Sequence, residues 1–202
     1  MPAWTLRFWQ AWLYLAVFAA STALVTIDLA RRDPALLERR LKGGPAAERE
    51  VSQQRIQTVA SAMLCALYVV AGFDHRWGWS RTVPDWMVFA ADALCAAGVA
   101  MIHWTFRENT YTAGIVTVES GQKVIATGPY GVVRHPLYAG AILLFLATPV
   151  ALGSLWAWLP ATALVASVVA RLIDEERYLI VHLAGYDEYR RRVRFRLIPG
   201  VW

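Results

Sequence analysis

Five apolar stretches separated by polar blocks set the pattern of the chain. They run over residues 8–30, 56–73, 86–104, 137–153 and 155–173. Each approaches the roughly 20 residues that a helix needs to cross a hydrocarbon core about 30 Å thick. The last two are short and meet at Gly153-Ser154, which predicts a tight helical hairpin. Pro149 and Pro160 fall near its outer end, where neighbouring helices can satisfy freed backbone groups.

The polar blocks have structure of their own. The first opens with the amphipathic piece Pro34-Ala35-Leu36-Leu37-Glu38-Arg39-Arg40-Leu41, suited to a headgroup layer, and Gly43-Gly44-Pro45 breaks it. In the second, the β-prone runs 115–118 and 123–126 flank Glu119-Ser120-Gly121-Gln122, a hairpin-like turn. Gly128-Pro129-Tyr130-Gly131 then returns the chain to the apolar layer. Beyond residue 173 the fifth helix continues through Ala184, breaks at Gly185 and resumes as the basic stretch 186–196. The expected fold is all-α integral membrane, with about five transmembrane helices, the last two a hairpin, and a cytoplasmic C-terminal helical segment. Residues 1–202 form one membrane domain, with three N-terminal spans in 8–104 and a catalytic core in 105–202.

Composition agrees. Hydrophobic residues make up 57% and charged ones 17%, and the mean hydropathy of +0.39 excludes an ordinary soluble domain. Segments 31–55, 105–136 and 171–202 hold all but three of the 20 Lys and Arg residues; the exceptions are Arg7, Arg76 and Arg81. The positive-inside rule then puts the N-terminus outside and the C-terminus in the cytoplasm of a cell (inner) membrane. Trp4, Trp9, Trp12, Trp77, Trp79, Trp86, Trp156 and Trp158 gather at the outer boundary as an aromatic belt. The net charge of +5 is thus a topology signal and an attraction to anionic lipid; nucleic-acid binding explains it less economically. The first apolar run is too long for a signal-peptide core and reads as a retained anchor. Cys65 and Cys95 sit within spans with no metal or disulfide spacing and read as packing residues.

Ionisable residues cluster at both ends of the hairpin. Arg134-His135-Pro136 starts the fourth span, where a helix N-terminus suits an anion; a snorkelling Arg and a first-turn Pro are the structural alternative. Beyond the fifth span, Arg171, Glu175, Tyr178 and His182 share one helical face, while Glu176 falls with Leu172, Leu179 and Leu183. A carboxylate on that apolar stripe needs a cationic partner, either an ion pair with Arg134 or Arg107 or a cationic ligand group. Asp92, midway along the third span, is a functional candidate or a hydrogen-bonding group for a neighbouring helix. Asn109, Glu108 and Tyr111 are placed to line a cytoplasmic mouth, and His75 and His103 read as boundary residues. Neither GxGxxG nor Walker A, GxSxG or HExxH occurs.

Arg134-His135-Pro136-Leu137-Tyr138-Ala139-Gly140, Glu175-Glu176, Gly185-Tyr186-Asp187-Glu188-Tyr189 and Arg194-Phe195-Arg196-Leu197-Ile198-Pro199 together resemble the integral-membrane methyltransferases that include isoprenylcysteine carboxyl methyltransferase and the phospholipid methyltransferases. The resemblance is strong from about Asn109 onward and recognisable at 36–54 and Gly72-Phe73-Asp74, as in bacterial members. It implies S-adenosylmethionine as methyl donor, bound at the cytoplasmic ends of the last helices, with no metal. Gly128, Tyr130, Arg134, His135, Tyr138, Glu175 and Glu176 are the implied cofactor-binding residues. The donor's carboxylate and ammonium suit the His/Arg cluster and the Glu pair, and Tyr130 and Tyr138 suit adenine or the sulfonium. Glu176, Arg171 and Arg194 are the catalytic candidates. Arg171 or Arg194 would orient a carboxylate acceptor, and Glu176 or His135 would serve as base toward an amine or thiol. The expected partners are membrane lipid and a lipophilic or small-molecule acceptor, entering laterally if apolar. An NADPH-dependent membrane reductase of the sterol or steroid type also resembles the RHPxY region; those proteins tend to carry Asn after RHP and an acidic residue after the Gly, where this chain has Leu137 and Ala141. A non-enzymatic membrane scaffold is the third reading.

Overall fold

The computed structural model describes every residue except Met1, Arg49, Arg81, Thr82, Ala113 and Ser120. Seven α-helices form among the described residues: α1 Trp9–Arg32, α2 Pro34–Leu41, α3 Val51–Trp77, α4 Asp85–Glu108, α5 Pro136–Ala151, α6 Trp158–His182 and α7 Tyr186–Arg192. Tight 3-10 turns occupy Pro45–Ala47 and Gly128–Gly131. Helices α1, α3 and α4 are long and apolar enough to cross a membrane. The shorter α5 has 16 residues, and α6 carries its apolar half before Arg171 and its charged half after it.

No strand forms among the described residues. Of the expected hairpin only the turn survives, closed by the Gln122 amide donating to the Glu119 carbonyl at 3.0 Å; Ser120 lies outside the described residues. A lone two-stranded ribbon is marginal, and here the Val116 amide donates to Glu48 Oε2 at 3.2 Å instead of to a partner strand.

Asp33 ends α1 and caps α2, accepting from the Leu36 amide at 2.9 Å beside a first-position Pro34, a favourable helix start. Leu36 is fully buried with Leu29 and Phe106, so α2 docks on the protein through this residue, while Leu41 at its end stays exposed.

The turn between α5 and α6 is tight: Gly153 adopts φ +63°, and the Ser154 amide donates to the Pro149 carbonyl at 2.8 Å. Helix α5 packs chiefly on α4 and α6 chiefly on α3, with less contact between the two arms themselves. Glycines make the α4–α5 contact possible. A Cβ on Gly140 would lie 2.7 Å from the Gly98 carbonyl oxygen, and one on Gly98 would lie 2.7 Å from that of Gly140. The final glycine of the RHPxYxG segment is therefore a packing requirement. At the tryptophan-rich end, buried Asp74 accepts from the Ser80 amide at 2.6 Å and from the Ser80 and Ser154 hydroxyls at 2.5 Å. This ties α3 to the hairpin turn.

Candidate functional site

Successive residues on an α-helix point about 100° apart, and three consecutive carboxylates on α6 therefore face three neighbours. Asp174 points to α3, accepting from Ser52 Oγ at 2.8 Å and Gln53 Nε2 at 2.6 Å. Glu175 points to α5, where Tyr138 donates its hydroxyl to Oε2. Glu176 points into the protein and is 5% exposed.

Glu176 is saturated by the chain's own cations. Its Oε1 receives Arg134 Nε at 2.7 Å and meets His135 Nε2 at 3.1 Å, and its Oε2 receives Arg196 Nε at 2.8 Å. Burial raises the carboxyl's pKa, but hydrogen bonds from His135, Arg134 and Arg196 outweigh it and hold the group below the ordinary carboxylate range. Of the two partners weighed for this residue, the ion pair with Arg134 is the one present. Arg134 is itself buried, and its Nη1 donates to the carbonyls of Val193 and Arg194 at 2.9 and 2.7 Å. The Arg134 and His135 amides donate to the Phe195 and Arg196 carbonyls at 2.9 and 3.0 Å. The C-terminal segment thus takes the two backbone donors just before α5. No hydrogen bond among the described residues engages Arg134 Nη2.

Arg171 anchors a second cluster. Its Nε donates to the Tyr138 hydroxyl at 3.1 Å, Nη1 to Gln53 Oε1 at 2.9 Å, and Nη2 to the Gly114 carbonyl at 3.2 Å. Glu48, buried in the loop before α3, pairs with Nη2 at 2.7 Å and also accepts from Gln57 Nε2. Most of the guanidinium's donors are spent inside the protein. Gly43 and Gly114 bring the two supporting loops together: a Cβ on Gly114 would lie 2.6 Å from Gly43 Cα.

Between these clusters lies a cavity of about 350 Å³. Arg134, His135, Tyr138, Arg171 and Glu175 line its polar part, with Tyr130, Tyr186 and Tyr189 adding aromatic surface. Leu64, Phe145, Leu164 and Val168 continue it between α3, α5 and α6. Tyr130 is buried, receives Asn109 Nδ2 at 3.1 Å on its hydroxyl, and accepts the Tyr189 hydroxyl at 2.8 Å on its carbonyl. Burial raises the phenol pKa values of Tyr130, Tyr186 and Tyr189, so all three remain protonated at physiological pH. Tyr186 is 4% exposed, and its hydroxyl is buried without a hydrogen-bond partner among the described residues.

Asn109 and Tyr111, expected at a cytoplasmic mouth, also line this cavity, whereas Glu108 and the candidates that follow do not. Gly128 is exposed in its 3-10 turn at φ +53°, with the Glu108 carboxyl packed 2.8 Å from where a Cβ would stand. Arg194 is exposed and enters the site only through its carbonyl. Tyr178 and His182 stack on each other at 4.0 Å, so that only Arg171 and Glu175 from their helical face reach the cavity. His103 pairs with Asp28 at 2.8 Å. Asp92 is buried with neither carboxylate oxygen hydrogen-bonded among the described residues, so no neighbouring helix supplies the partner considered for it. Sequence reasoning did not single out Glu48, Gln53 or Gln57. The signal was there: Gln53, Gln57, Ser61 and Leu64 make a helical stripe turning from polar to apolar along α3.

Residues 86–184 match the family model described as phospholipid methyltransferase. The resemblance to the integral-membrane methyltransferases is thereby borne out across α4, α5 and α6. A Delta(14)-sterol reductase from Mus musculus is 35% identical over 108 residues, covering 48% of this chain and 25% of the relative. The chain thus spans about a quarter of that reductase's length.

Proposed function

We propose that this chain is an S-adenosylmethionine-dependent integral-membrane methyltransferase that modifies a lipophilic acceptor at the cytoplasmic face. The match of residues 86–184 supplies the reaction class. The observation that carries the finer reading is the cavity: a polar, tyrosine-lined head continuous with an apolar gap between α3, α5 and α6. In this reading the membrane holds five crossings, with the N-terminus outside, the C-terminus in the cytoplasm, and Leu64, Phe145, Leu164 and Val168 at the level of lipid tails.

The residues present fit the donor. Glu175 keeps Oε1 free of hydrogen bonds among the described residues and is suited to an ammonium, and Arg134 Nη2 is suited to a carboxylate. The tyrosine faces favour a sulfonium. When bound, S-adenosylmethionine supplies an electrophilic methyl group on that sulfonium. The chain's own contribution is positioning and water exclusion. Glu48 and Gln53 fix Arg171, Arg171 and Glu175 fix the Tyr138 hydroxyl, and the Glu176 cluster fixes Arg134. Glu176 acts in this scheme as a clamp on the site wall.

The sterol reductase similarity favours a second reading, an NADPH-dependent reductase. One observation weighs against it: the cavity, at about 350 Å³, lies near the small end of ligand sites, which run from roughly 300 to 1,000 Å³. Calorimetric titration of the purified protein in lipid nanodiscs with S-adenosylmethionine and with NADPH decides the matter. Binding of the former alone is expected; binding of NADPH alone would overturn the methyltransferase reading, and binding of neither would leave a scaffold.

A further inference from the structure

We infer that the Tyr186 hydroxyl recognises the amino-acid tail of the donor, donating a hydrogen bond to its carboxylate. The inference rests on the methyltransferase reading above. Tyr186 opens α7 immediately after Gly185, whose φ of +83° reverses the chain at the end of α6. That reversal lays the ring along the cavity, packed beside Tyr189 and Leu183. The residue is almost wholly buried, yet its hydroxyl finds no partner among the described residues. Leaving a buried hydroxyl unpaired is costly, and native proteins rarely retain one without a use.

The surroundings identify that use. Tyr186 lies within electrostatic range of Glu175, Glu176 and Arg134. Glu176 is taken up by Arg134, His135 and Arg196, and Glu175 Oε1 and Arg134 Nη2 are the groups with capacity left, one anionic and one cationic. A ligand answering both carries an ammonium and a carboxylate on one carbon, as an α-amino acid does. With the ammonium on Glu175, the carboxylate falls toward Arg134 Nη2 and the tyrosine. The phenol is protonated, and a hydroxyl donating to a carboxylate forms a stronger bond than one between neutral groups. Tyr189, on the same short helix, is excluded from this role because its hydroxyl is already given to the Tyr130 carbonyl.

The test compares Tyr186→Phe with the unmodified protein against two probes. S-adenosylhomocysteine has the complete amino-acid tail; 5′-methylthioadenosine keeps the nucleoside and thioether but lacks it. The variant is expected to bind S-adenosylhomocysteine about tenfold more weakly and to bind 5′-methylthioadenosine unchanged. Without ligand it should melt at the same temperature or higher, since an unpaired buried hydroxyl has been removed. An equal loss for both probes, no loss for either, or a lower melting temperature without ligand would overturn the assignment. If the unmodified protein binds neither probe, the methyltransferase reading itself fails, and this inference with it.

Discussion

Replacing Glu176 by Gln keeps the side chain's shape and removes its charge. In the native protein that carboxylate accepts from Arg134, His135 and Arg196 at 2.7, 3.1 and 2.8 Å, at a position 5% exposed. Removing one partner of a buried pair generally costs about 3–5 kcal/mol, because the other charge stays buried. Gln retains one acceptor oxygen, which puts the expected loss near the lower end, about 3 kcal/mol. For a chain of this size each kcal/mol moves the melting temperature by about 2–4 °C, so Glu176→Gln should melt about 6–12 °C below the native protein. Thermal unfolding in detergent followed by intrinsic tryptophan fluorescence measures it. Acid gives an internal control. The carboxyl's pKa is depressed in the folded state, so its contribution is complete above its ordinary value of 4.5 and is lost as pH falls through the depressed value. The gap between native and variant should be widest above pH 4.5 and narrow progressively as pH falls below it. A gap under about 2 °C at pH 7, or one that grows on acidification, would show that Glu176 does not clamp the site.

Glu175→Gln should leave the melting temperature unchanged while weakening S-adenosylmethionine binding by about tenfold or more, read by calorimetry; unchanged affinity would remove Glu175 from the donor site. Glu48→Ala strands the Arg171 guanidinium and should cost about 3–5 kcal/mol, measured by the same melting assay. Gly140→Leu drives a side chain into the α4 backbone and should lower stability by at least about 1–3 kcal/mol, visible as loss of monodisperse protein in size-exclusion chromatography. Asp92→Leu replaces an unpartnered buried carboxylate and should raise stability by about 1–4 kcal/mol; a fall instead would mean that Asp92 has an interaction its surroundings do not reveal.

The long helices were legible because their signal is local. Apolar length marked α1, α3 and α4, and the Gly153-Ser154 turn marked the hairpin. The contact between Arg134 and Glu176 was legible too, since a carboxylate on the stripe of Leu172, Leu179 and Leu183 cannot stay unpaired. What stayed hidden depends on which helix faces which. Helix α5 pairs chiefly with α4 and α6 chiefly with α3, and no periodicity within α5 or α6 encodes that choice. Arg171 reads as a free cation until Glu48, more than a hundred positions earlier, is folded onto it. The β-prone runs at 115–118 and 123–126 reflected propensity alone; strand pairing lost to Glu48, which takes the Val116 amide.

The hairpin of α5 and α6 is fastened at both extremities by buried carboxylates on different elements. Asp74 holds its turn through Ser154 at one end, and Glu176 holds its open end through Arg134 at the other. A bow tied at both tips bends only at its waist. On the lipophilic-acceptor proposal, an acceptor wider than the standing gap would have to part α5 from α6 at mid-height, against Phe145, Leu164 and Val168. Selection among acceptor tails by girth would then be decided at those three side chains, remote from the atoms that react.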